Sequence, residues 1–216
     1  MKLLIRKCLG GLILAGLSVA ISANESNDPS GELFLLRSAG DVANCGPITA
    51  LMARQYADQG FDVESLSAEV MKARKLLADY RQQSFDKDNQ SWWSLKDIQI
   101  YLRFMGVSSQ PGNLIRGRNY IELKKVIDQR KVAIINVNMN DLPRGTETGK
   151  PYNTFYVPFG WGHFIAVVGY QVKDGELYFE THDSFSPQGK SRLYSAKHLE
   201  RAIKRYNPYY LEVAPS

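Results

Sequence analysis

The sequence predicts an α+β protein, with helices in the first part of the chain and a mostly antiparallel sheet in the second. Between residues 47 and 130, apolar side chains recur every three or four residues, as they do along one face of a helix. After residue 132 the apolar runs become short and are bounded by turn residues, which is typical of strands. The 216 residues, less a short N-terminal segment, suit a single domain with a sizeable core.

Residues 1–23 have the features of a secretory signal peptide. Lys2, Arg6 and Lys7 form a basic start, residues 9–21 are apolar, and small residues offer cleavage sites at 18–20 or 21–23. The apolar run is shorter than the roughly 20 residues that a membrane-spanning helix needs. We therefore expect a bacterial protein that is exported to the periplasm or secreted. It should consist of one domain, residues 24–216, with no stable membrane anchor after cleavage.

The net charge gives no indication of a nucleic-acid partner. The formal charge is +5, but Lys2, Arg6 and Lys7 belong to the predicted signal, so of 27 Lys and Arg residues 24 remain, against 22 Asp and Glu. Because basic and acidic side chains are nearly balanced, we do not expect a strongly basic surface. A peptide or protein substrate is the expected partner, and the oligomeric state is left open.

Four helices are predicted before the sheet. The first runs from about Gly46 to Gly60 with Pro47 in its first turn, where proline is favoured. The second and fourth cover 63–83 and 119–130. The third begins after Ser94, which with Asp97 forms a variant of the capping box, and ends near residue 105.

The predicted strands follow the fourth helix. Residues 132–137 are almost continuously apolar, which predicts a central strand buried on both faces. Residues 163–171 and 177–181 should form a hairpin through the turn at 173–176. A helix at 195–206 and a last strand at 209–213 complete the order. Near the start of the chain, the short apolar run at residues 33–36 predicts either a short strand or an extended segment that leads into the first helix.

Cys45 is the only cysteine outside the predicted signal, because Cys8 is removed with it. It stands at the start of the first helix, where the unsatisfied N–H groups and the positive end of the helix dipole favour a thiolate. A thiolate there is a nucleophile rather than a packing residue. The position therefore predicts cysteine catalysis.

A thiol nucleophile needs a base and a third group that orients the base. His163 opens a predicted strand directly after Gly162, and Asp183 is as far from the hairpin turn as His163 is, so the two should lie side by side. His182 would point to the other face, and His198 lies on the exposed side of its helix. A structural role for His163, and a turn-forming role for Asp183, remain alternatives.

These residues resemble a known family. The chain resembles the papain-like cysteine peptidases of the bacteriocin-processing type, which cleave after double-glycine leaders, and their stand-alone exported relatives. The resemblance lies in three segments: Asn44-Cys45-Gly46-Pro47 before a helix, residues 162–170 with His163 near their start, and Asp183 at a strand end. The resemblance implies the papain-like fold, with Cys45 as nucleophile, His163 as general base and acid, and Asp183 as its orienting residue. It implies hydrolysis of peptide or isopeptide bonds through an acyl-enzyme.

One position departs from that family. Its members commonly carry a glutamine six residues before the cysteine that donates to the oxyanion, and this chain has Ala39 there. Either the Cys45 amide acts with another donor such as Asn44, or the chain is a weakened or silent relative. Trp161 and Gly162 are further candidates for substrate contact. Losing one such donor typically lowers the rate about 100- to 1000-fold.

Other functions remain open beside hydrolysis. The same triad could serve an acyltransferase, or the fold could be a catalytically silent binding module. No cofactor is expected, and because the sequence contains no ATP-binding motif, we do not expect the transporter-fused form. Paired Cys or His at zinc spacing is lacking, so metal binding is disfavoured. Residues 140–160, long and rich in aromatic residues and glycine, should border the cleft.

Overall fold

The computed structural model of the chain describes residues 24–38, 41, 43–85, 91–118, 120–143, 162–203 and 208–216. The predicted signal at 1–23 lies outside the described residues. So do residues 144–160 of the segment 140–160 that was predicted to border the cleft. Within them the chain forms five α-helices and seven strands in the predicted α+β order. None of the described helices is both long and apolar enough to cross a membrane.

All five predicted helices are confirmed, with somewhat shorter bounds. They are α1 (Cys45–Ala57), α2 (Leu66–Tyr80), α3 (Leu95–Phe104), α4 (Ile121–Asp128) and α5 (Ala196–Ile203). The capping box of α3 is present, because the Asp97 N–H donates to Ser94 Oγ at 3.3 Å and the Ser94 N–H donates to the Asp97 carboxylate at 2.7 Å. Short 3-10 turns occur at Met139–Asp141 and Pro187–Gly189.

The strands form one sheet, in which each pairing between described residues is antiparallel. They are β1 (Asn24–Ser26), β2 (Ser109–Asn113), β3 (Val132–Asn138), β4 (Gly162–Lys173), β5 (Glu176–His182), β6 (Arg192–Ser195) and β7 (Tyr209–Val213). Their order is β2-β7-β3-β4-β5-β6, and β1 pairs with the far end of β4. The predicted β4–β5 turn is confirmed: Asp174 and Gly175 have φ of 50° and 76°, as a tight two-residue hairpin turn requires.

Three strands were not predicted, and one expected strand is not formed. β1 and β2 are short and polar or rich in Gly and Pro, and they become strands because β4 and β7 offer them a hydrogen-bonding edge. β6 is added in the same way to β5. Residues 33–36 pair with no strand of the described chain, and Leu33 lies in a turn, so the short strand expected there is not formed.

Helices cover both faces of the sheet. On one face α1, α2 and α3 pack on side chains such as Ile134, Phe164 and Ala166. On the other, α4 and α5 pack on Ile135, Ile165 and their neighbours. The side chains of β3 are buried on both faces except for the half-buried Asn136, which confirms it as a central strand.

The edge of β4 near Phe164 is where α1 joins the sheet. The pairing of β4 with β5 ends at Ala166 and His182, so the start of β4 has no β5 neighbour. Thr49 in α1 donates its hydroxyl to the Phe164 carbonyl there at 3.1 Å, in a fully buried bond. The first turn of α1, with Cys45, is thereby held against the beginning of β4, where His163 lies.

Candidate active site

Cys45 is the first residue of α1, so the helix begins one residue earlier than the start at about Gly46 that the sequence predicted. No acidic residue lies in the first turn of the helix, and the Asn44 side chain does not cap its free N–H groups. The positive end of the helix dipole is therefore directed at the sulfur without a nearby carboxylate on the helix to offset it. The residue is 4% exposed, so this field acts in a poorly solvated environment.

His163 and Asp183 are joined by a buried hydrogen bond. His163 Nε2 lies 2.6 Å from Asp183 Oδ1, and the two side chains are 3% and 0% exposed. Asp183 lies one residue beyond β5, past the last paired position, so the bond crosses the end of the ladder rather than joining paired residues. The same carboxylate oxygen accepts the Phe185 N–H at 2.9 Å, which fixes its direction.

The Cys45 side chain is a second partner of the His163 ring. Its side chain is hydrogen-bonded to Cys45, and since Nε2 is engaged by Asp183, Nδ1 is the nitrogen left for sulfur. Burial lowers the pKa of His163, but the charge and hydrogen bond of Asp183, together with Cys45, raise it to about 9. The imidazole is thus held in its protonated form beside the thiol.

The thiol responds in the opposite direction. Burial raises the pKa of Cys45, but the hydrogen bond and charge of His163, the Phe164 N–H and the charge of Arg37 outweigh burial and lower it below the ordinary value of 9.0. A thiolate and an imidazolium stabilise each other in this arrangement. The site can therefore present a charged sulfur nucleophile beside a proton donor.

The other two histidines are arranged differently. His182 points away from His163: its Nε2 lies 2.6 Å from Asp28 Oδ2, and its Nδ1 accepts the Ser191 N–H at 3.1 Å. With both nitrogens occupied by protein groups, it has none free for a thiol. His198 is half-buried rather than on the exposed side that the sequence suggested, because α5 packs onto the sheet.

A polar network holds the residues just before Cys45, and sequence reasoning missed it. Arg74 in α2 is 6% exposed and donates to Asn44 Oδ1 at 2.5 Å and to the Ala43 and Ser91 carbonyls at 2.9 Å each. Asp41 accepts the Asn44 side-chain amide at 2.8 Å. The carboxamide of Asn44, a candidate oxyanion donor, is therefore anchored through both its oxygen and its nitrogen. An arginine on the amphipathic α2 gave no sequence signal for this role.

The predicted substrate contacts divide between described and undescribed residues. Trp161 lies outside the described residues. Gly162 begins β4, and a Cβ there would stand 2.4 Å from Asn136 Oδ1, so the close neighbour of this glycine is a protein side chain. Gly46 has a similar constraint, because a Cβ there would stand 2.7 Å from Trp93 Cβ. Trp93 and Phe164 thus pack against the turn that carries Cys45.

Among the described residues no group of three or more His, Cys, Asp or Glu side chains is arranged to hold a metal ion. Cys45 has no disulfide partner there.

Comparison with known proteins gives matches at the level of structure. No family profile and no curated protein sequence matches the chain. A solved structure described as that of a C39-like peptidase from Bacillus anthracis matches with a TM-score of 0.53 and 13% identity, over 90% of this chain and 98% of the other. The peptidase domain of Streptococcus ComA, a bi-functional ABC transporter of a quorum-sensing pathway, matches with a TM-score of 0.52 and 14% identity, over 85% and 98%.

This chain has the C39-like, papain-like peptidase fold. The fold class inferred from the sequence is thereby confirmed. The match extends over 98% of each of the two solved chains. At such low identity the likeness concerns the fold, and the chemistry has to be argued from this chain's own residues.

Proposed function

We propose that this chain is an exported cysteine peptidase or amidase that hydrolyses peptide or isopeptide bonds through Cys45, His163 and Asp183. The observation that supports the proposal is that the buried His163 side chain interacts both with the Asp183 carboxylate, through Nε2, and with the thiol of Cys45 at a helix N-terminus. The C39-like fold supports a peptidase-type chemistry. Export rests on the predicted signal at 1–23.

In the proposed reaction the Cys45 sulfur attacks the carbonyl carbon of the scissile bond. His163 gives the proton on Nδ1 to the leaving nitrogen as the C–N bond breaks, which leaves a thioester on Cys45. Water then attacks the thioester, His163 takes a proton from it, and the C–S bond breaks to release the acid. Asp183 keeps the ring in the orientation that both steps need.

Burial sets a condition on this chemistry. Cys45 is 4% exposed, so little of its surface is open to a peptide in this conformation. A small alkylating reagent needs less room than a peptide. Comparing the two therefore separates a reactive but closed site from an enzyme that admits substrate.

The test uses the exported protein and two probes. Iodoacetamide should modify Cys45 well below pH 8, and a peptide library should yield products that Cys45→Ala does not form. His163→Ala should abolish turnover, and Asp183→Asn should be milder because it misorients the base without removing it. Alkylation without turnover of any peptide would point instead to a silent module with this fold. N-terminal sequencing for Asn24 tests the signal.

If His182→Ala abolished turnover while His163→Ala kept it, the assignment of the base would be wrong. His182→Ala is the comparison variant for His163→Ala, because both remove a buried imidazole that is bound to a carboxylate, and His182→Ala should lower turnover without abolishing it. Only one of the two imidazoles faces Cys45. Equal melting temperatures with unequal turnover would isolate the catalytic difference.

A further inference from the structure

A second histidine–carboxylate pair is buried next to the proposed site and has no part in the proposed chemistry. Asp28 is 5% exposed and His182 is fully buried, with 2.6 Å between Oδ2 and Nε2. His182 directly precedes Asp183 in the chain. The two residues are 154 positions apart in sequence, so the pair ties the start of the described chain to the end of β5.

The hydrogen bonds of this pair define the tautomer of His182. His182 Nδ1 accepts the Ser191 N–H, so the ring proton is on Nε2 and is donated to Asp28. The Asp28 carboxylate also accepts the N–H groups of Glu32 and Leu33, each at 3.0 Å. Burial raises the pKa of Asp28, but the hydrogen bond from His182 and those from the backbone lower it below its ordinary value. An ionised carboxylate with every bond directed is a rigid anchor.

The same N-terminal segment also holds the chain on the other side of Asp183. We call residues 24–37 the N-terminal strap. The Arg37 N–H donates to the Ser184 carbonyl at 3.0 Å, and its guanidinium lies 4.4 Å from the centre of the Phe185 ring. The Phe185 N–H in turn donates to Asp183 Oδ1, the oxygen that binds His163. The strap therefore contacts the residues immediately before and after Asp183.

We propose that Asp28 is a positioning residue for the active site: through His182 it fixes the backbone that presents Asp183 to His163. This rests on the proposed function, in which Asp183 orients the base. Asp28 contacts neither sulfur nor substrate in this role. Its effect passes through Asp183, since a carboxylate that drifts from His163 no longer favours the imidazolium on which the thiolate depends.

The test is the pH dependence of Cys45 alkylation by iodoacetamide in the folded protein. Asp28→Asn keeps the size of the side chain and removes its charge, so it should loosen the anchor with little repacking. We expect the alkylation midpoint to move up by about 0.5 to 1 pH unit, because the thiolate is less stabilised. Glu32→Gln is the matched control, since it removes an exposed carboxylate from the same strap, and its midpoint should equal that of the wild type.

A double-mutant cycle separates positioning from general destabilisation. If Asp28 acts through Asp183, adding Asp28→Asn to Asp183→Asn should not move the midpoint further, although the melting temperature should fall again. A wild-type midpoint in folded Asp28→Asn, or a shift that adds fully to that of Asp183→Asn, overturns the proposal. If Asp28→Asn does not fold, His182→Gln provides the same readout. Alkylation needs no substrate, so it tests the positioning role of Asp28 independently of peptide hydrolysis. Either proposal can therefore fail while the other stands.

Discussion

Gly189 is packed so closely against Asp183 that adding one methyl group there should disable the proposed site. A Cβ at this position would lie 1.9 Å from the Asp183 carbonyl oxygen, 2.8 Å from its carbonyl carbon and 3.0 Å from its Cβ. Two of these atoms are backbone, so no rotamer change relieves the clash. Reaching an ordinary contact of 3.4 Å requires a shift of about 1.5 Å, the difference between 3.4 and 1.9 Å.

A shift of that size is large compared with the hydrogen bond it disturbs. Asp183 Oδ1 is 2.6 Å from His163 Nε2, and the Asp183 N–H is itself bound to the Gly189 carbonyl at 3.0 Å, so Asp183 moves with the turn. In Gly189→Ala we expect turnover to fall about 100-fold, the effect of an ångström-scale misplacement of a catalytic group. Overpacking should also lower the free energy of unfolding by about 1–3 kcal/mol.

The assay compares Gly189→Ala with Gly175→Ala. Gly175 has φ of 76° and no atom within 4 Å of its added Cβ, so alanine there causes backbone strain of about 1–2 kcal/mol far from the site. Both variants should melt earlier than the wild type, but only Gly189→Ala should slow Cys45 alkylation at pH 7, by about tenfold for each unit rise in thiol pKa. A folded Gly189→Ala protein that is alkylated at the wild-type rate would refute the reasoning.

Three further predictions concern pH and the polar networks. Turnover should decline as pH rises through about 9, because His163 then loses the proton that it gives to the leaving nitrogen. Alkylation of Cys45 should already be fast below the ordinary thiol pKa of 9.0. Rate–pH profiles of turnover and alkylation test both statements, and an alkylation rate that follows an unperturbed thiol contradicts the second. Arg74→Met should lower the free energy of unfolding by about 2–4 kcal/mol, because the Ala43 and Ser91 carbonyls lose their buried donor. Chemical denaturation measures this loss, and Lys72→Met, which removes an exposed cation from the same helix, is the control. The pKa of Asp28 is lowered on folding, so its charge stabilises the protein above the unfolded pKa of 3.8, and this stabilisation is lost as pH falls through the folded pKa. The difference in Tm between the wild type and Asp28→Asn should therefore shrink from pH 7 to pH 3. A constant difference in Tm would contradict this.

The hydrophobic periodicity of the chain was enough to predict the main elements. It located α1 to α5 and the strands β3, β4, β5 and β7, because each buries a continuous apolar stripe whose period reports the local conformation. The hairpin turn at Asp174 and Gly175 was readable for the same local reason. Strands β1, β2 and β6 were missed because a partner's edge, rather than their own composition, makes them strands.

The sequence by itself determined that one thiol stands at a helix N-terminus and which residues near strand ends could serve it, since both follow from local order along the chain. Only the tertiary structure shows how the surroundings of the two buried histidines, His163 and His182, differ. His163 and His182 each bind a buried carboxylate, and they differ in what the second ring nitrogen faces: the Cys45 thiol in one case and the Ser191 N–H in the other. The anchors that hold this arrangement, Asp28 and Arg74, come from distant parts of the chain. Their roles depend on contacts that exist only when the chain is folded, so no local pattern in the sequence indicates them.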